Sequence, residues 1–182
     1  GLGDVYKRQE CRLPIILNVL EDLLSPRGII VRNDSPILAA EGISPSVRVA
    51  RGQQPEPFAA RSGSVQFMID LQTGQKTGLY LDQLDNYAAV ARFARGRRVL
   101  DCFCNQGGFA LACALAGASE VTAVDVSQDA MDAVARNTRL NGVSVQCVTD
   151  NAFDFLKKEA ALVRDGGEHK WDLIILHPPS FT

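Results

Sequence analysis

From about Asp85 onward the chain alternates short β-favouring runs with longer helical ones, and no other feature limits its fold so strongly. "RRVLDCF" reads as a strand and "GGFALACALAGA" as a compact helix of small residues. "VTAVDV" is a second strand, followed by "SQDAMDAVARNTRLNG", a helix with Ser127 as N-cap and Gly142 past its end. "VSVQCVTD" is a third strand, "NAFDFLKKEAALVRDGG" a helix stopped by glycines, and "WDLIIL" a fourth strand. A βαβαβαβ series implies a parallel sheet with helices on both faces, an α/β fold of the Rossmann-like kind.

In such a sheet ligands bind beyond the carboxyl ends of the strands, near the point where strand order reverses. The chain places polar or permissive residues at all four ends. The first is "DCFCNQGGF", from Asp101 to Phe109, where Gly107 and Gly108 let the backbone turn into a helix whose free N–H groups can face a carboxylate. The second carries Asp125, suited to accept hydrogen bonds from a ribose diol. The third carries Asp150 and Asn151, where an adenine edge can lie, and the fourth is "HPPSF". Together the four ends point to a nucleoside-bearing cofactor. The loop "CNQGGF" lacks the G-x-G-x-x-G of a dinucleotide site and the Lys-Ser/Thr of a phosphate loop. A cofactor with a carboxylate and an amine in place of phosphates fits better, which means S-adenosylmethionine. Pro178 and Pro179 fix a rigid, donor-poor turn able to hold a flat base beside the cofactor's methyl group.

The part before this differs in texture. "LPIILNVLEDLLS" (Leu13–Ser25) reads as an amphipathic helix, "GIIVRND" (Gly28–Asp34) as a strand, and Ser44–Pro57 as a loop. "FAARSGSVQFMIDLQ" reads as a hairpin with Val65, Phe67 and Ile69 on one face. The expected organisation is a small α+β domain with a hairpin over 10–82 and an incomplete Rossmann-like domain of four strands over 83–182. "GLGDVYKRQ" (1–9) matches nothing that follows and reads as a translated adapter scar. A net charge of −2 advertises no basic field, and no run of about 18 apolar residues suggests a membrane span, so the expected setting is the cytoplasm. Among five cysteines, Cys102, Cys104 and Cys113 lie in or beside apolar elements; no paired metal-ligand spacing is present and no metal is expected.

"GQKTGLYLDQ", with "LDCFCNQGGFAL", "VTAVDVSQDAMDAVARN" and "PPSF", resembles the bacterial 23S ribosomal RNA large-subunit methyltransferases of the cytosine-C5 type. The resemblance runs from about Leu13 to Thr182. That family implies a PUA domain in front, a middle domain with a β-hairpin, and a class I S-adenosylmethionine-dependent methyltransferase domain, with large-subunit ribosomal RNA as partner. It implies that Lys76, Thr77, Tyr80, Asp82 and Gln83 cover the methionine end of the cofactor. Asn105 and Gly107 would line the methionine moiety, Asp125 would hold the ribose, Asp150 with Asn151 would contact adenine, and Asp101 would belong to the same cofactor site. His177, Pro178 and Pro179 would bind the target base. The sequence departs from the family at His177, where the family has Asp, at Leu84 in place of Arg, and at Gln106 in place of Thr. The later strands of the sheet and the cysteine that attacks the pyrimidine ring are not in this chain. Nitrogen methylation of guanine or adenine, and a non-catalytic cofactor- or RNA-binding module, are the alternative readings.

Overall fold

The computed structural model describes residues 5–33, 38, 42–72 and 79–178. Contacts divide the chain into two compact units: the described residues through Phe58 with Asp70–Gln72, and Ala59–Ile69 with the described residues from Leu79 onward.

The first unit holds α1 (Val5–Leu24), β1 (Gly28–Asn33) and β2 (Ser46–Gly52). The helix starts at Val5 rather than Leu13 and so takes in Val5–Gln9, which the sequence pattern sets apart. Pro14 hides this continuation, because proline suits a first helical turn, yet here it sits inside the helix. The expected loop at Ser44–Pro57 contains β2, the antiparallel partner of β1, with a register shift between Ile29 and Ile30. Pro45 and Pro55 flank this strand instead of interrupting it, and Val47 and Val49 keep the alternation of a strand between them. Arg48 pairs with Glu10 at 3.7 Å and Arg51 with Glu21 at 3.1 Å, tying β2 to α1. These pairs are partly exposed and each contributes at most about 1 kcal/mol.

The second unit opens with the hairpin β3 (Phe58–Ser62) and β4 (Val65–Ile69), then a 3₁₀ turn (Leu81–Gln83) and α2 (Leu84–Ala91). There follow β5 (Arg98–Cys102), α3 (Gly108–Leu115), β6 (Glu120–Asp125), α4 (Gln128–Asn141), β7 (Gln146–Thr149), α5 (Ala152–Arg164) and β8 (Leu173–Leu176). Among the described residues the four strands β5 to β8 form one parallel sheet in the order β7-β6-β5-β8. This is the Rossmann-like α/β arrangement the alternating pattern predicts. Strand order reverses between β5 and β8, which is where a parallel sheet opens a crevice. β5 is the centre of the core: Val99, Leu100, Asp101 and Cys102 are all fully buried.

The hairpin falls in this unit, whereas the sequence pattern groups it with 10–82. Val65, Phe67 and Ile69 are buried, as their alternation predicts. Gln66 and Met68, two residues apart and so on one edge of β4, are met by helix side chains: Asn141 Oδ1 accepts from Gln66 N at 2.8 Å, and Asn137 Oδ1 from Met68 N at 2.8 Å. Asn141 Nδ2 also donates to Gln66 O at 2.7 Å. Side-chain amides one helical turn apart thus do for β4 what a neighbouring strand would do. No helix among the described residues is long and apolar enough to cross a membrane.

α2 presses Tyr87 onto the start of α3, where a Cβ placed on Gly108 would overlap the Tyr87 ring. Gly108→Ala is expected to cost about 1–3 kcal/mol, the usual range for overpacking. In the Tyr87→Ala background the same change should cost almost nothing further. Thermal unfolding of the two single variants and the double variant measures this, and additive losses would refute the contact.

Candidate functional site

Because β5 to β8 are parallel, their carboxyl ends lie at one end of the sheet. The structure therefore brings together Asp101–Gly107, Asp125, Asp150–Asn151 and His177–Pro178. Backbone bonds link successive ends: Cys104 N donates to Val124 O at 3.2 Å, and Asp150 N to Asp125 O at 3.1 Å. Lys76, Thr77 and Pro179 lie outside the described residues.

The loop between β5 and α3 has an unusual backbone. Phe103 (φ 61°), Asn105 (φ 49°) and Gly107 (φ 79°) are all left-handed, a conformation that only glycine adopts without cost. The strain is held by side chains around the loop. Asp125 Oδ2 accepts from Asn105 N at 3.0 Å, while its Oδ1 accepts from Ser127 N at 3.1 Å. Asn137 Nδ2 donates to Gln106 O at 3.1 Å. Gly107 N donates to Cys104 O at 2.8 Å, and a side chain at Gly107 would crowd Val134. α3 then starts after Gly107, which has no side chain to cap it; the first-turn N–H of Ala110 goes to Asp101, and the N–H groups before it can face an anion.

Asp101 lies beneath this loop with no exposed surface, so it holds the loop from below instead of facing a ligand. Its Oδ2 accepts from Ala110 N at 3.0 Å, and its Oδ1 has no hydrogen-bond partner. Burial pushes this carboxyl up to about 7; the Ala110 N–H opposes the rise and the Asp125 charge adds to it. Tyr87, close by, has its phenol raised to about 12, first by burial and then by the Asp101 charge.

Asp150 and Asn151 have local partners. Asp150 accepts from Lys158 Nζ at 2.8 Å and from Asn151 N at 2.8 Å, and the Lys158 bond, ahead of the others, lowers its pKa. Asn151 Oδ1 caps α5 by accepting from Phe153 N at 3.0 Å and Asp154 N at 3.3 Å. Asp82 and Gln83 are bonded along their own turn, Gln83 Nε2 to Asp82 Oδ2 at 2.9 Å and Asn86 Nδ2 to Gln83 Oε1 at 2.9 Å.

His177 is exposed at the end of β8 and belongs to an aromatic chain. Its ring centroid is 6.4 Å from Tyr80 and 6.0 Å from Phe109; Phe109 is 4.8 Å from Tyr87, and Tyr87 6.1 Å from Phe67. The chain runs from the hairpin to the fourth strand end.

Two apolar side chains missed from sequence stand at the same end. Val126 is 71% exposed directly after Asp125, and Phe153 is 48% exposed at the start of α5, edge-on to Phe103 at 5.4 Å. Apolar groups left open beside strand-end carboxylates were the available signal. Asn137, Asn141 and Tyr87 were missed as well; two asparagines at i and i+4 inside a helix, where asparagine is a poor former, could have marked the first two.

The cysteines are all free. Burial raises Cys104 far above the ordinary thiol range, Cys102 to about 11 and Cys113 to about 12. The buried thiols are inert packing groups, as their positions in the sequence suggest. Cys147 lies on β7, at the opposite edge of the sheet from β8. No group of three or more metal-ligating side chains occurs among the described residues.

The residues present fit a cofactor with a carboxylate at one end and a nucleoside at the other. The start of α3 can receive an anion, Asp125 keeps a second lone pair on each oxygen, and Val126 and Phe153 offer apolar faces.

The family described as S-adenosylmethionine-dependent methyltransferase matches residues 46–182. Ribosomal RNA large subunit methyltransferase I of Aeromonas hydrophila is 37% identical over 178 residues, covering 95% of this chain and 44% of that protein. The Erwinia tasmaniensis protein of the same name is 38% identical over 171 residues, covering 92% and 42%. The chain thus spans less than half the length of these relatives. Among solved structures, SMU.776, a methyltransferase complexed with SAH, superposes with a TM-score of 0.65 at 27% identity, covering 75% of this chain and 36% of that one. The SAM-dependent methyltransferase of Agrobacterium tumefaciens has the same fold, with a TM-score of 0.61 at 24% identity, covering 71% and 42%.

Asp101 makes stability depend on pH. Its folded pKa lies above its ordinary value of 3.8, so the folded chain binds a proton that the unfolded chain has lost between about pH 4 and pH 7. Stability is therefore highest below about pH 4 as far as this group is concerned, and falls as pH rises to about 7. The fall amounts to a few kcal/mol, at about 1.4 kcal/mol per pKa unit. Asp101→Asn should remove that fall and leave the protein more stable than wild type at pH 8. Urea unfolding at pH 4, 5.5, 7 and 8 tests this, and parallel curves for the two proteins would contradict it.

Proposed function

We propose, from the premise that the chain belongs to the S-adenosylmethionine-dependent methyltransferase family, that it forms the cofactor-binding part of an enzyme methylating large-subunit ribosomal RNA. The observation that carries this reading is the single open end of the sheet. There the strained Phe103–Gly107 loop, Asp125, Asp150–Asn151 and His177–Pro178 stand together. When bound, the cofactor supplies an electrophilic methyl group on its sulfonium sulfur.

The chain's own residues have these parts in the proposal. Asn105, Gly107 and the start of α3 hold the methionine carboxylate, and Asp101 positions the loop from below. Asp125 accepts from the ribose hydroxyls while fixing the loop with the same carboxylate. Asp150, Asn151, Val126 and Phe153 border the adenine. Tyr80, Asp82 and Gln83 cover the methionine end, with Tyr80 reaching the His177 ring as well.

The finer proposal is carbon-5 methylation of cytosine. That ring carbon becomes nucleophilic only after a thiolate adds to C6, and the adduct gains from a hydrogen-bonding group near N3. We place His177, with Pro178 and Pro179, at the base. A neutral imidazole can donate or accept there through one nitrogen, but lacks the charge of the family's carboxylate. The thiolate is assigned to none of the five cysteines of this chain.

Titration calorimetry with S-adenosylhomocysteine is expected to show saturable binding of one molecule per chain; no binding would end the cofactor reading. In the natural protein carrying this chain, incubation with unmodified large-subunit ribosomal RNA should yield 5-methylcytosine on nucleoside mass spectrometry. His177→Asp should raise kcat. Methyl groups on guanine or adenine nitrogens would replace the carbon-5 reading, and cofactor binding with no methyl transfer would make the chain part of a binding module.

A further inference from the structure

We infer that Asn137 is a positioning residue for the cofactor loop, joining the β3–β4 hairpin to the backbone that receives the methionine end of the cofactor. This rests on the proposed reading of Asn105–Gly107 as the methionine-binding turn.

Asn137 sits in the middle of α4, is 1% exposed, and makes two long-range bonds with opposite ends of one amide. Oδ1 accepts from Met68 N at 2.8 Å on β4, and Nδ2 donates to Gln106 O at 3.1 Å in the loop. Gln106 is the residue between left-handed Asn105 and left-handed Gly107. Fixing its carbonyl fixes the peptide plane it shares with Gly107, and so the direction of the turn into α3. Asp125 holds the neighbouring Asn105 amide from the other side. With either hold removed, a backbone in this sparsely populated conformation has less to keep it there.

Asn141, one turn further along α4, provides the internal control. Its side chain bonds Gln66 N, Gln66 O and the Asn137 carbonyl, all on the hairpin and helix side. Asn141→Ala therefore loosens the hairpin without removing the Gln106 bond. Asn137→Ala removes both of the Asn137 bonds. Asn137→Asp keeps an acceptor for Met68 N, and its carboxylate has no N–H for Gln106 O.

The test uses the full chain at pH 8 with two ligands. S-adenosylhomocysteine carries the amino-acid end, and 5′-methylthioadenosine lacks it. Asn137→Ala and Asn137→Asp are expected to weaken S-adenosylhomocysteine by about tenfold or more while leaving 5′-methylthioadenosine within about twofold. Asn141→Ala should leave both affinities within about twofold. Amide exchange in the free protein should speed up across Asn105–Phe109 in both Asn137 variants and not in Asn141→Ala.

An unchanged affinity in Asn137→Asp overturns the inference. So does equal loss of both ligands, which marks general unfolding, or a loss in Asn141→Ala as large as in Asn137→Ala. If the wild-type chain binds neither ligand, the cofactor reading fails separately, and the exchange rates alone decide: equal rates in the Asn137 variants and wild type overturn the positioning role.

Discussion

The carboxylate of Asp125 is the contact on which the rest of the second unit's open end depends. One oxygen takes the N–H of Asn105 at 3.0 Å and the other the N–H of Ser127 at 3.1 Å. Two loops leaving adjacent parallel strands are thereby fixed to each other at the sheet's end. Ser127 in turn caps α4 through Ala130 N, so the same group sets where that helix begins. From α4 come Asn137 and Asn141, which hold the hairpin, and Val134, which packs under Gly107. Without the acid after β6, the loop, the helix and the hairpin would lose a common reference.

That arrangement holds a backbone that would not keep its shape alone. Left-handed Phe103 and Asn105 each cost on the order of 1–3 kcal/mol, and an unpartnered buried carboxylate oxygen adds to the cost. Such strain persists where the surroundings over-determine the conformation. Here the loop joins two elements with fully buried residues, Leu100 and Cys102 on β5 and Ala110, Leu111 and Cys113 on α3. The loop's irregularity and the core's density belong together: dense packing lets a few residues point polar groups away from their easiest conformation.

Elements whose signals are local were legible in the sequence. α4 begins after Ser127 and ends before Gly142, as its caps predict; β5, β7 and β8 fall within their expected runs, and β6 begins one residue before its own, at Glu120. Strand-end residues were legible too, because a parallel sheet forces its carboxyl ends to one side whatever the details. β2 was not, since prolines on either side concealed an alternation that only pairing with β1 stabilises. Nor was the true start of α1, hidden by Pro14. The hairpin's unit and the part played by Asn137 depend on side-chain bonds spanning 69 and 75 positions, for which no local pattern exists. That Asp101 is buried was not legible, because burial is decided by what β6 and β8 place on either side of it.

In the proposed reading His177 stands at the target base, where the resembling family has an aspartate. A carboxylate at this position would repel the faces of neighbouring rings, whose quadrupoles are negative there. An imidazole instead continues the aromatic chain, edge-on to Tyr80 and tilted against Phe109. The chain Phe67–Tyr87–Phe109–His177 thus ends in a ring that is both exposed and packed. In the proposed reading, a base brought to Pro178 would meet a stacking surface with one hydrogen-bonding nitrogen in place of a charged acceptor. Stacking is tolerant of base identity, whereas a carboxylate is selective for a donor edge. On that proposal the exchange would move this strand end from reading the base's hydrogen-bonding pattern toward holding its face, and the loss would fall on selectivity before it fell on binding.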